Sequence, residues 1–411
     1  MRRQSALAWG GALLLVLALL AVWLLRPGAR DARLAPIVIG HLQDLGGPLR
    51  SDEAPLLAGA RLAVEEINRS GGLLGRRVEL ALGDTRSDAA TGAAAAQALI
   101  EKRQAVALFG CWTTACRDAV RPVVERHRHL LFHPASYEGL EQSPHLVYTG
   151  ATPNQFALPA TAWALRQFGR RVYLLGSEGP YSRRLHVLLG DFIRLRGGEV
   201  LATRYLPRDA PDAASVVREL REQRPDVVLN TLGGASNAQL FDALVEAGMT
   251  DLPMLSLKAT EPELRAFGGG RLAQHFMATS YLQSLPGPAN AAFLAALRSS
   301  QGEAAQASDP AVSLYIAIRL WAAAVRELGS PQTDAVNANV LLQVVEAPQG
   351  YAAMDPQTRH LWRPLRVAQV APDGGLKEVM VLPRYVKPAP WPGFRSVAYW
   401  QTATADVGVR P

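Results

Sequence analysis

The chain has 411 residues and a mass of 44.3 kDa, which is too long for one compact domain and predicts two or three. Apolar residues make up 49% and charged residues 19%, which excludes a disordered, collagenous or polytopic membrane protein. Two cysteines exclude a disulfide scaffold and a cysteine-based zinc or iron–sulfur site. The net charge is +7, but 39 of the 43 basic residues are arginines spread among acids, so no nucleic-acid partner is predicted.

The N-terminus carries a long apolar segment. Ala6–Leu25 holds twenty residues without a charge after Arg2 and Arg3, and as a helix it matches the roughly 30 Å hydrocarbon core of a bilayer. No good signal-peptidase site and no cysteine for lipid attachment follow it. Residues 1–33 are therefore predicted to be a retained membrane anchor, with a cleaved signal segment as the alternative. Arginines flank both ends, so charge counting leaves the orientation open.

From residue 34 onward, short aliphatic runs alternate with segments of helical period. The clearest helix has an apolar stripe over residues 56–67, opened by Pro55 and ended by Gly71 and Gly72. Strand–helix alternation of this length predicts an α/β protein with two doubly wound parallel-sheet lobes joined near residues 148–153. The predicted buried strands are Pro36–Gly40, Val78–Leu82, Ala105–Gly110, His129–Phe132, Arg171–Gly176, Val200–Tyr205, Asp226–Thr231 and Met254–Leu257.

The C-terminal part lacks a complete strand–helix unit and is expected to return to both lobes. Two helices, Ala289–Ser300 and Ala311–Leu328, precede a predicted hairpin of Leu365–Val370 and Leu376–Val381. The proline- and aromatic-rich tail is predicted to be an irregular surface segment. The predicted boundaries are 1–33 for the anchor or signal segment, 34–152 with 282–333 for lobe 1, 153–281 with 334–385 for lobe 2, and 386–411 for the tail.

Parallel α/β sheets bind ligands beyond the carboxyl ends of their strands, and the loops expected there carry specific sequence strings. They include G-C-W-T-T at 110–114, Y-E-G-L-E at 137–141, Y-T-G-A-T-P-N-Q at 148–155 and, in the first helix, E-E-I-N-R-S-G-G-L-L-G at 65–75. In this order the strings resemble the urea and short-chain-amide branch of the type I periplasmic solute-binding proteins, the substrate receptors of ABC transporters. The resemblance covers about residues 36–390.

The resemblance implies a hinged, two-lobed protein in the periplasm, tethered to the inner membrane by its N-terminal helix. A small polar solute binds in the cleft, and an ABC permease complex reads the closed shape. No cofactor and no metal are implied. The chain lacks a nucleophile elbow, a phosphate-binding loop and a zinc-protease motif, so an enzyme is not predicted. The alternative is a membrane-tethered sensor of the same fold that signals to a protein partner.

Several candidate ligand-binding positions depart from the family pattern. Ala235 stands where the family has an aspartate that accepts an amide NH₂, and Glu178 precedes a glycine instead of an aromatic residue. Asp44 and Arg50 replace hydroxyl or small residues, and Lys258 replaces a serine. A buried polar group left unpaired costs about 1–3 kcal/mol, so losing the acceptor argues against urea. The two cations favour a larger, anionic ligand, unless both are solvated rim residues.

The other candidate residues follow the third and fourth strands. Trp112 is placed to stack on a planar ligand, or to pack its loop on the core. Thr113 and Thr114 begin a helix whose amides favour polar or negative atoms. His133 is a candidate cleft donor, and Tyr137 either closes the cleft or fixes its own loop.

Cys111 and Cys116 flank this candidate loop. In an oxidising compartment they can form a disulfide if their Cα atoms lie about 4.4–6.8 Å apart. The alternative is a pair of free, buried thiols.

Overall fold

The computed structural model describes residues 35–208, 212–267, 269–405 and 407. The predicted N-terminal anchor lies outside the described residues. Within the described ranges, no helix combines the length and the apolar composition needed to cross a membrane.

The described chain alternates between strands and helices. The strands are β1 (Ile37–Gln43), β2 (Val78–Asp84), β3 (Leu108–Gly110), β4 (Leu131–His133), β5 (Leu146–Tyr148), β6 (Arg171–Ser177), β7 (Glu199–Leu206), β8 (Val227–Thr231), β9 (Met254–Ser256), β10 (His275–Thr279), β11 (Val344–Ala347), β12 (Gly350–Asp355), β13 (His360–Leu361), β14 (Arg366–Val370) and β15 (Leu376–Val381). The helices are α1 (Arg50–Arg69), α2 (Ala89–Glu101), α3 (Thr114–Arg126), α4 (Ala157–Gln167), α5 (Pro180–Leu195), α6 (Ala213–Gln223), α7 (Ala235–Glu246), α8 (Glu261–Ala266), α9 (Pro288–Gln301), α10 (Asp309–Leu328), α11 (Thr333–Asn339) and α12 (Val397–Thr404). Short 3₁₀ helices occupy Pro153–Gln155, Gly269–Arg271 and Val340–Leu342.

The first sheet forms lobe 1. Its described strands lie in the order β11-β12-β13-β5-β4-β3-β1-β2. Strands β1 to β5 and β13 pair in parallel, whereas β11 and β12 add antiparallel pairs at one edge. Helices α1 and α10 cover one face, where Phe109 stacks on Phe132 and contacts Trp321 edge-on. Helices α2 and α3 cover the other face.

The second sheet forms lobe 2. Its described strands lie in the order β15-β14-β10-β9-β8-β6-β7. Strands β6 to β10 pair in parallel, and the β14–β15 hairpin adds to β10 in antiparallel fashion. Helices α4 and α5 pack on one face of this sheet, and α6 and α7 pack on the other. Each lobe is therefore a parallel α/β core with an antiparallel edge, and not the wholly parallel sheet that the alternation predicts.

Most predicted elements are present in the structure. The eight predicted strands, the C-terminal hairpin and the two helices before it all occur, with shifts of a few residues at their ends. The first helix differs because it begins at Arg50 and contains Pro55 within it. The acidic Asp52 and Glu53 lie in its first turn, where negative charge favours a helix. Pro55 removes one backbone hydrogen bond near this end and does not mark the start.

One predicted boundary is wrong in part. The boundary places residues 334–385 in lobe 2, but β11, β12 and β13 belong to the sheet of lobe 1. Only β14 and β15 of this segment join the second sheet. Strands β11, β12 and β13 are two to six residues long, and they join the sheet of lobe 1 through one distant pair, β13 with β5, so periodicity alone does not assign them to a lobe.

The C-terminal tail packs on lobe 2, so its prediction as an irregular surface segment is wrong. Trp400, on α12, is fully buried, and its Nε1 donates to the carbonyl of Pro392 at 2.9 Å. Its ring meets that of Phe394 edge-on at 5.2 Å. Arg395 donates to both carboxylate oxygens of Asp191, on α5, at 2.7 and 2.9 Å. The tail therefore contributes Trp400 to the core of lobe 2 and pairs with the surface of that lobe through Arg395.

A buried arginine, Arg363, links the three segments in which the described chain passes from one lobe to the other. These segments are called crossings below. The described chain crosses between β5 and α4, between β10 and α9, and between β13 and β14. Arg363, on the third crossing, donates to the carbonyl of Thr149 on the first and to Ser280 Oγ on the second, the latter at 2.9 Å. It also bonds Ser313 Oγ at 2.6 Å and the carboxylate of Asp309, both on α10. The crossings are thus held together at the predicted hinge.

Candidate functional site

A cavity of about 300 Å³ lies between the lobes, beyond the carboxyl ends of both parallel sheets. This volume suits a small solute. Its wall combines aromatic rings, hydroxyl groups and a few charged side chains. Lobe 1 contributes Pro48, Leu49, Ser87, residues 112–115, Ser136 and Tyr137; lobe 2 contributes Phe156, residues 177–182, Arg208, residues 257–261, Ala278 and Thr279; Tyr281, Asp309 and Pro310 complete it.

Lys258 supplies a positive charge to this cavity. Its Nζ lies 5.4 Å from the ring centre of Tyr181 in lobe 2 and 5.8 Å from that of Trp112 in lobe 1. Burial, followed by the nearby Arg208, lowers the pKa of Lys258 to about 8. No carboxylate of a described residue lies within ion-pair distance of it, although three nearby carboxylates, Glu263 foremost, raise its pKa. An ammonium group between two rings, without a carboxylate partner, is suited to an anionic ligand group.

The loop after β3 forms the facing wall. Helix α3 begins at Thr114, and Thr113 is its N-cap, with Oγ1 accepting from the amide of Cys116 at 3.1 Å. The first turn of a helix leaves the amides of Thr114 and Ala115 without intrahelical acceptors, and both residues line the cavity. A helix N-terminus of this kind favours negative ligand atoms.

The two cysteines form a disulfide, which decides between the alternatives that the sequence leaves open. The Cα atoms of Cys111 and Cys116 are 5.3 Å apart. The four residues between them, 112–115, all line the cavity. The bond therefore constrains the ends of the loop that forms the lobe 1 wall, and it is of the kind that persists in oxidising compartments.

Removing this disulfide is expected to lower stability modestly. In the Cys111→Ser/Cys116→Ser double variant, the short closed loop predicts a loss of about 2 kcal/mol in the free energy of unfolding. The measurement is guanidinium-induced unfolding of both proteins with and without reductant. Reductant should bring the wild-type midpoint to that of the variant and leave the variant unchanged. Equal midpoints for the two oxidised proteins would contradict a stabilising role.

Ion pairs join the two lobes beside the cavity. Arg208 of lobe 2 lies 3.2 Å from Asp52 of lobe 1. Arg184, on α5, lies 2.8 Å from Asp118 and 3.2 Å from Glu138, both in lobe 1. Because these pairs bring the two lobes into contact, the lobes have the geometry of a closed clamp.

The structure divides the predicted ligand-binding residues into two groups. On the cavity wall lie Trp112, Thr113, Thr114, Tyr137, Glu178 and Lys258, and away from it lie Asp44, Arg50, His133 and Ala235. Arg50 is exposed in the first turn of α1, and Ala235 is the exposed first residue of α7. Neither faces the cavity, so the expected roles at these two positions are wrong. Position 235 therefore gives no reason to exclude urea as a ligand.

Asp44 organises its own loop and is not available to a ligand. Its fully buried carboxylate accepts the amides of Gly46, Gly47 and Leu49 at 3.1, 2.5 and 2.8 Å, and the hydroxyl of Ser87. Burial opposes ionisation, but these hydrogen bonds, the one from Ser87 foremost, lower the pKa of Asp44. The prediction of a ligand contact at Asp44 is therefore wrong, because its acceptors are already used.

His133 and Tyr137 belong to a buried aromatic cluster. His133 is fully buried with Nε2 3.5 Å from Arg117 Nη1, and burial, then Arg117, holds its pKa well below the usual range. Its expected role as a cleft donor is therefore wrong. Tyr137 donates its hydroxyl to Nε2 of His360 at 2.6 Å, and its ring stacks on that of Tyr148. Tyr137 thus fixes its loop while contributing to the wall.

Several lining residues are absent from the predicted ligand-binding residues, and three of them are Tyr181, Arg208 and Tyr281. The ring of Tyr181 supplies an aromatic wall from beyond Gly179, where the family aromatic is lost, and its hydroxyl donates to the carbonyl of Leu257 at 2.9 Å. Arg208 follows β7, whose loop shows no motif. Tyr281 follows β10, a strand that the pattern does not reveal. The position of Tyr181 soon after the predicted strand Arg171–Gly176 is the signal that points to it, because ligands bind beyond the carboxyl ends of such strands.

The acidic side chains of the wall are largely occupied. Glu261 accepts from Arg265 at 2.8 Å and from the amide of Gln283 at 2.9 Å. Asp309 accepts from Arg363. Glu178 is exposed at the rim. The wall therefore offers a cation and helix amides to a ligand more readily than it offers a carboxylate.

Two α/β lobes, several crossings and an enclosed cavity between the sheets define the fold of the type I periplasmic binding proteins. Residues 37–397 match the family model described as "Periplasmic binding protein domain", so the chain belongs to this family. Membership indicates an extracytoplasmic location. The urea and short-chain-amide branch finds no such support.

Three known proteins illustrate the similarity. The chain is 26% identical over 227 residues to the Leu/Ile/Val-binding protein BraC3 of Rhizobium johnstonii, a match that covers 52% of this chain and 60% of that protein. It is 26% identical over 327 residues to the Leu/Ile/Val-binding protein homolog 3 of Brucella melitensis, covering 76% and 85%. The crystal structure of an ABC-transporter solute-binding protein of Rhodopseudomonas palustris HaA2 with p-hydroxybenzoic acid has a TM-score of 0.78 at 23% identity, covering 87% and 99%. These relatives are binding proteins and not enzymes.

Proposed function

We propose that the protein is the extracytoplasmic solute-binding component of an ABC importer and that it binds a small planar carboxylate between its lobes. The observation that carries the proposal is Lys258, which points its ammonium group between Trp112 and Tyr181 and lacks a carboxylate partner among the described residues. A ring inserted between these side chains replaces solvent with aromatic contacts. Its carboxylate meets either Lys258 or the amides of Thr114 and Ala115.

The charge of the wall distinguishes this ligand class from two others. An α-amino acid needs a carboxylate for its ammonium group, but Glu261 and Asp309 already accept from arginines. Urea offers four donors and no charge, so it makes no charge-assisted bond with Lys258. A benzoate-type ligand needs no acidic partner. The p-hydroxybenzoic acid bound by the Rhodopseudomonas protein supports this class, whereas the names of the Leu/Ile/Val-binding relatives favour amino acids.

The rest of the proposed function concerns partners and location. The closed form of the clamp presents both lobes to an ABC permease, which reads the shape. Residues 1–33 tether the protein to the periplasmic face of the inner membrane.

Isothermal titration of the full-length protein tests the ligand class. Benzoate and 4-hydroxybenzoate are expected to bind, and 4-hydroxybenzamide, the neutral matched ligand, should bind about 10- to 100-fold more weakly because it loses a charge-assisted bond. Isoleucine, acetamide and urea complete the panel. Equal affinity for the acid and its amide, or tight binding of urea or isoleucine without benzoate binding, would overturn the proposal.

A further inference from the structure

Glu138 joins a cavity residue of lobe 1 to the opposite lobe. Its carboxylate is fully buried. Oε2 accepts from Oγ1 of Thr114, a wall residue, at 2.8 Å. Oε1 accepts from Nη1 of Arg184, on α5 of lobe 2, at 3.2 Å and from Nη2 of Arg117 at 2.9 Å. One carboxylate therefore bonds a cavity hydroxyl and a guanidinium that crosses between the lobes.

The contact between Arg184 and Glu138 forms only when the lobes are closed, as the other partners of the neighbouring charges indicate. Arg184 has a second lobe 1 partner, Asp118, at 2.8 Å. Arg117 keeps Glu141 as its own second partner at 3.1 Å. When the lobes separate, Arg184 loses both of its carboxylates, while Glu138 keeps Thr114 and Arg117. Because Glu138 and Arg117 are excluded from solvent, their interactions are little screened.

We propose that Glu138 couples the presentation of Thr114 in the cavity to closure of the lobes through Arg184. The hydroxyl proton of Thr114 is committed to Glu138, so the hydroxyl oxygen is left as an acceptor at the cavity wall. Arg184 shares that carboxylate only in the closed form. Ligand contact at Thr114 and the closing contact of Arg184 therefore stabilise each other through one group. The inference depends on the proposed function for the statement that a ligand reaches Thr114.

A double-mutant cycle on the ligand-free, full-length protein tests the coupling. The variants are Arg184→Gln, Thr114→Val and their combination, and the readout is the closed-to-open ratio from pulsed electron paramagnetic resonance. Spin labels are placed at Gln97 on α2 and Glu222 on α6 by a chemistry that leaves the disulfide intact. Arg184→Gln is expected to lower the ratio about fivefold. Thr114→Val should lower it less, because Thr114 acts only by holding the Glu138 carboxylate in place for Arg184, and it should have no further effect in the Arg184→Gln background.

The matched control is Arg183→Gln. This neighbouring guanidinium lies over the ring of Tyr205, within lobe 2, at 4.4 Å, and its loss should leave the ratio unchanged. Arg184→Gln is expected to fold because Arg117 still pairs with Glu138. Effects of the two substitutions that simply multiply would overturn the inference, as would an unchanged ratio in Arg184→Gln.

A second arm adds benzoate. In the wild type the closed fraction should rise, and in Arg184→Gln the dissociation constant should increase by up to about fivefold, because the apparent affinity falls with the closed fraction. If benzoate leaves the wild type unaffected, the proposed ligand class fails, while the ligand-free cycle still decides the coupling. If benzoate binds Arg184→Gln as tightly as the wild type and closes it fully, the coupling is contradicted.

Discussion

Replacing Arg363 by methionine is expected to lower the free energy of unfolding by about 3–5 kcal/mol. The guanidinium is fully buried and bonds both other chain crossings as well as the carboxylate of Asp309. Methionine keeps the apolar volume but leaves Asp309 and the carbonyl of Thr149 without this partner. Breaking a buried pair from one side costs this much because the remaining charge stays desolvated. Guanidinium-induced unfolding, followed by circular dichroism, measures the change.

The matched control for this prediction is Arg384→Met. Arg384 is exposed in the same C-terminal segment and has no hydrogen bond or ion pair with a described residue. Its replacement should change the free energy of unfolding by less than about 0.5 kcal/mol. A loss below about 1 kcal/mol for Arg363→Met would mean that the crossings are held by their backbone contacts and packing alone.

Replacing Lys258 by methionine is expected to raise the dissociation constant for benzoate about 10- to 100-fold. The substitution keeps an apolar stem beside Trp112 and Tyr181 but removes the positive charge. Affinity for 4-hydroxybenzamide should change far less, because that ligand has no charge to lose. The control is Lys377→Met, an exposed lysine on β15, which should bind benzoate as the wild type does. Isothermal titration at fixed ionic strength measures the affinity of each of the three proteins for each of the two ligands.

The pH dependence of benzoate binding follows from the same side chain. In the ligand-free protein, burial lowers the pKa of Lys258 to about 8, and a bound carboxylate raises it again. Below about pH 8 the lysine is already protonated, so affinity should be nearly constant. Above that pH binding must take up a proton, so the dissociation constant should rise up to tenfold per pH unit. Benzoate itself stays ionised over this range. The Lys258→Met variant should show a flat profile, and a flat wild-type profile would exclude the lysine as the anion partner.

The sequence predicts the parts of the fold that depend on local pattern. Aliphatic runs such as Ala105–Gly110, which contains β3, identify the central parallel strands because a strand buried on both faces is apolar throughout. The helix N-terminus at Thr113 and Thr114 follows from its capping residue and its place after a strand. Trp112 and Lys258 lie on the cavity wall because both follow carboxyl ends of parallel strands, as the rule for such sheets requires.

What the sequence fails to predict depends on long-range partners. Asp44 lies in a loop at the correct end of β1, but its carboxylate is saturated by amides of its own loop and by Ser87, more than forty residues away. His133 is buried because Tyr137, Tyr148 and Arg117 pack around it. The short β11 and β13 give no signal for the lobe they join. Trp400 is buried by a tail whose composition suggests exposure.

A co-crystal structure of the protein with benzoate shows whether the interlobe cavity is the ligand site. We expect the ring between Trp112 and Tyr181, with the carboxylate within hydrogen-bonding distance of Lys258 Nζ or of the amides of Thr114 and Ala115. Benzoate bound elsewhere on the surface, or a cavity that stays free of it at saturating concentration, would exclude this site.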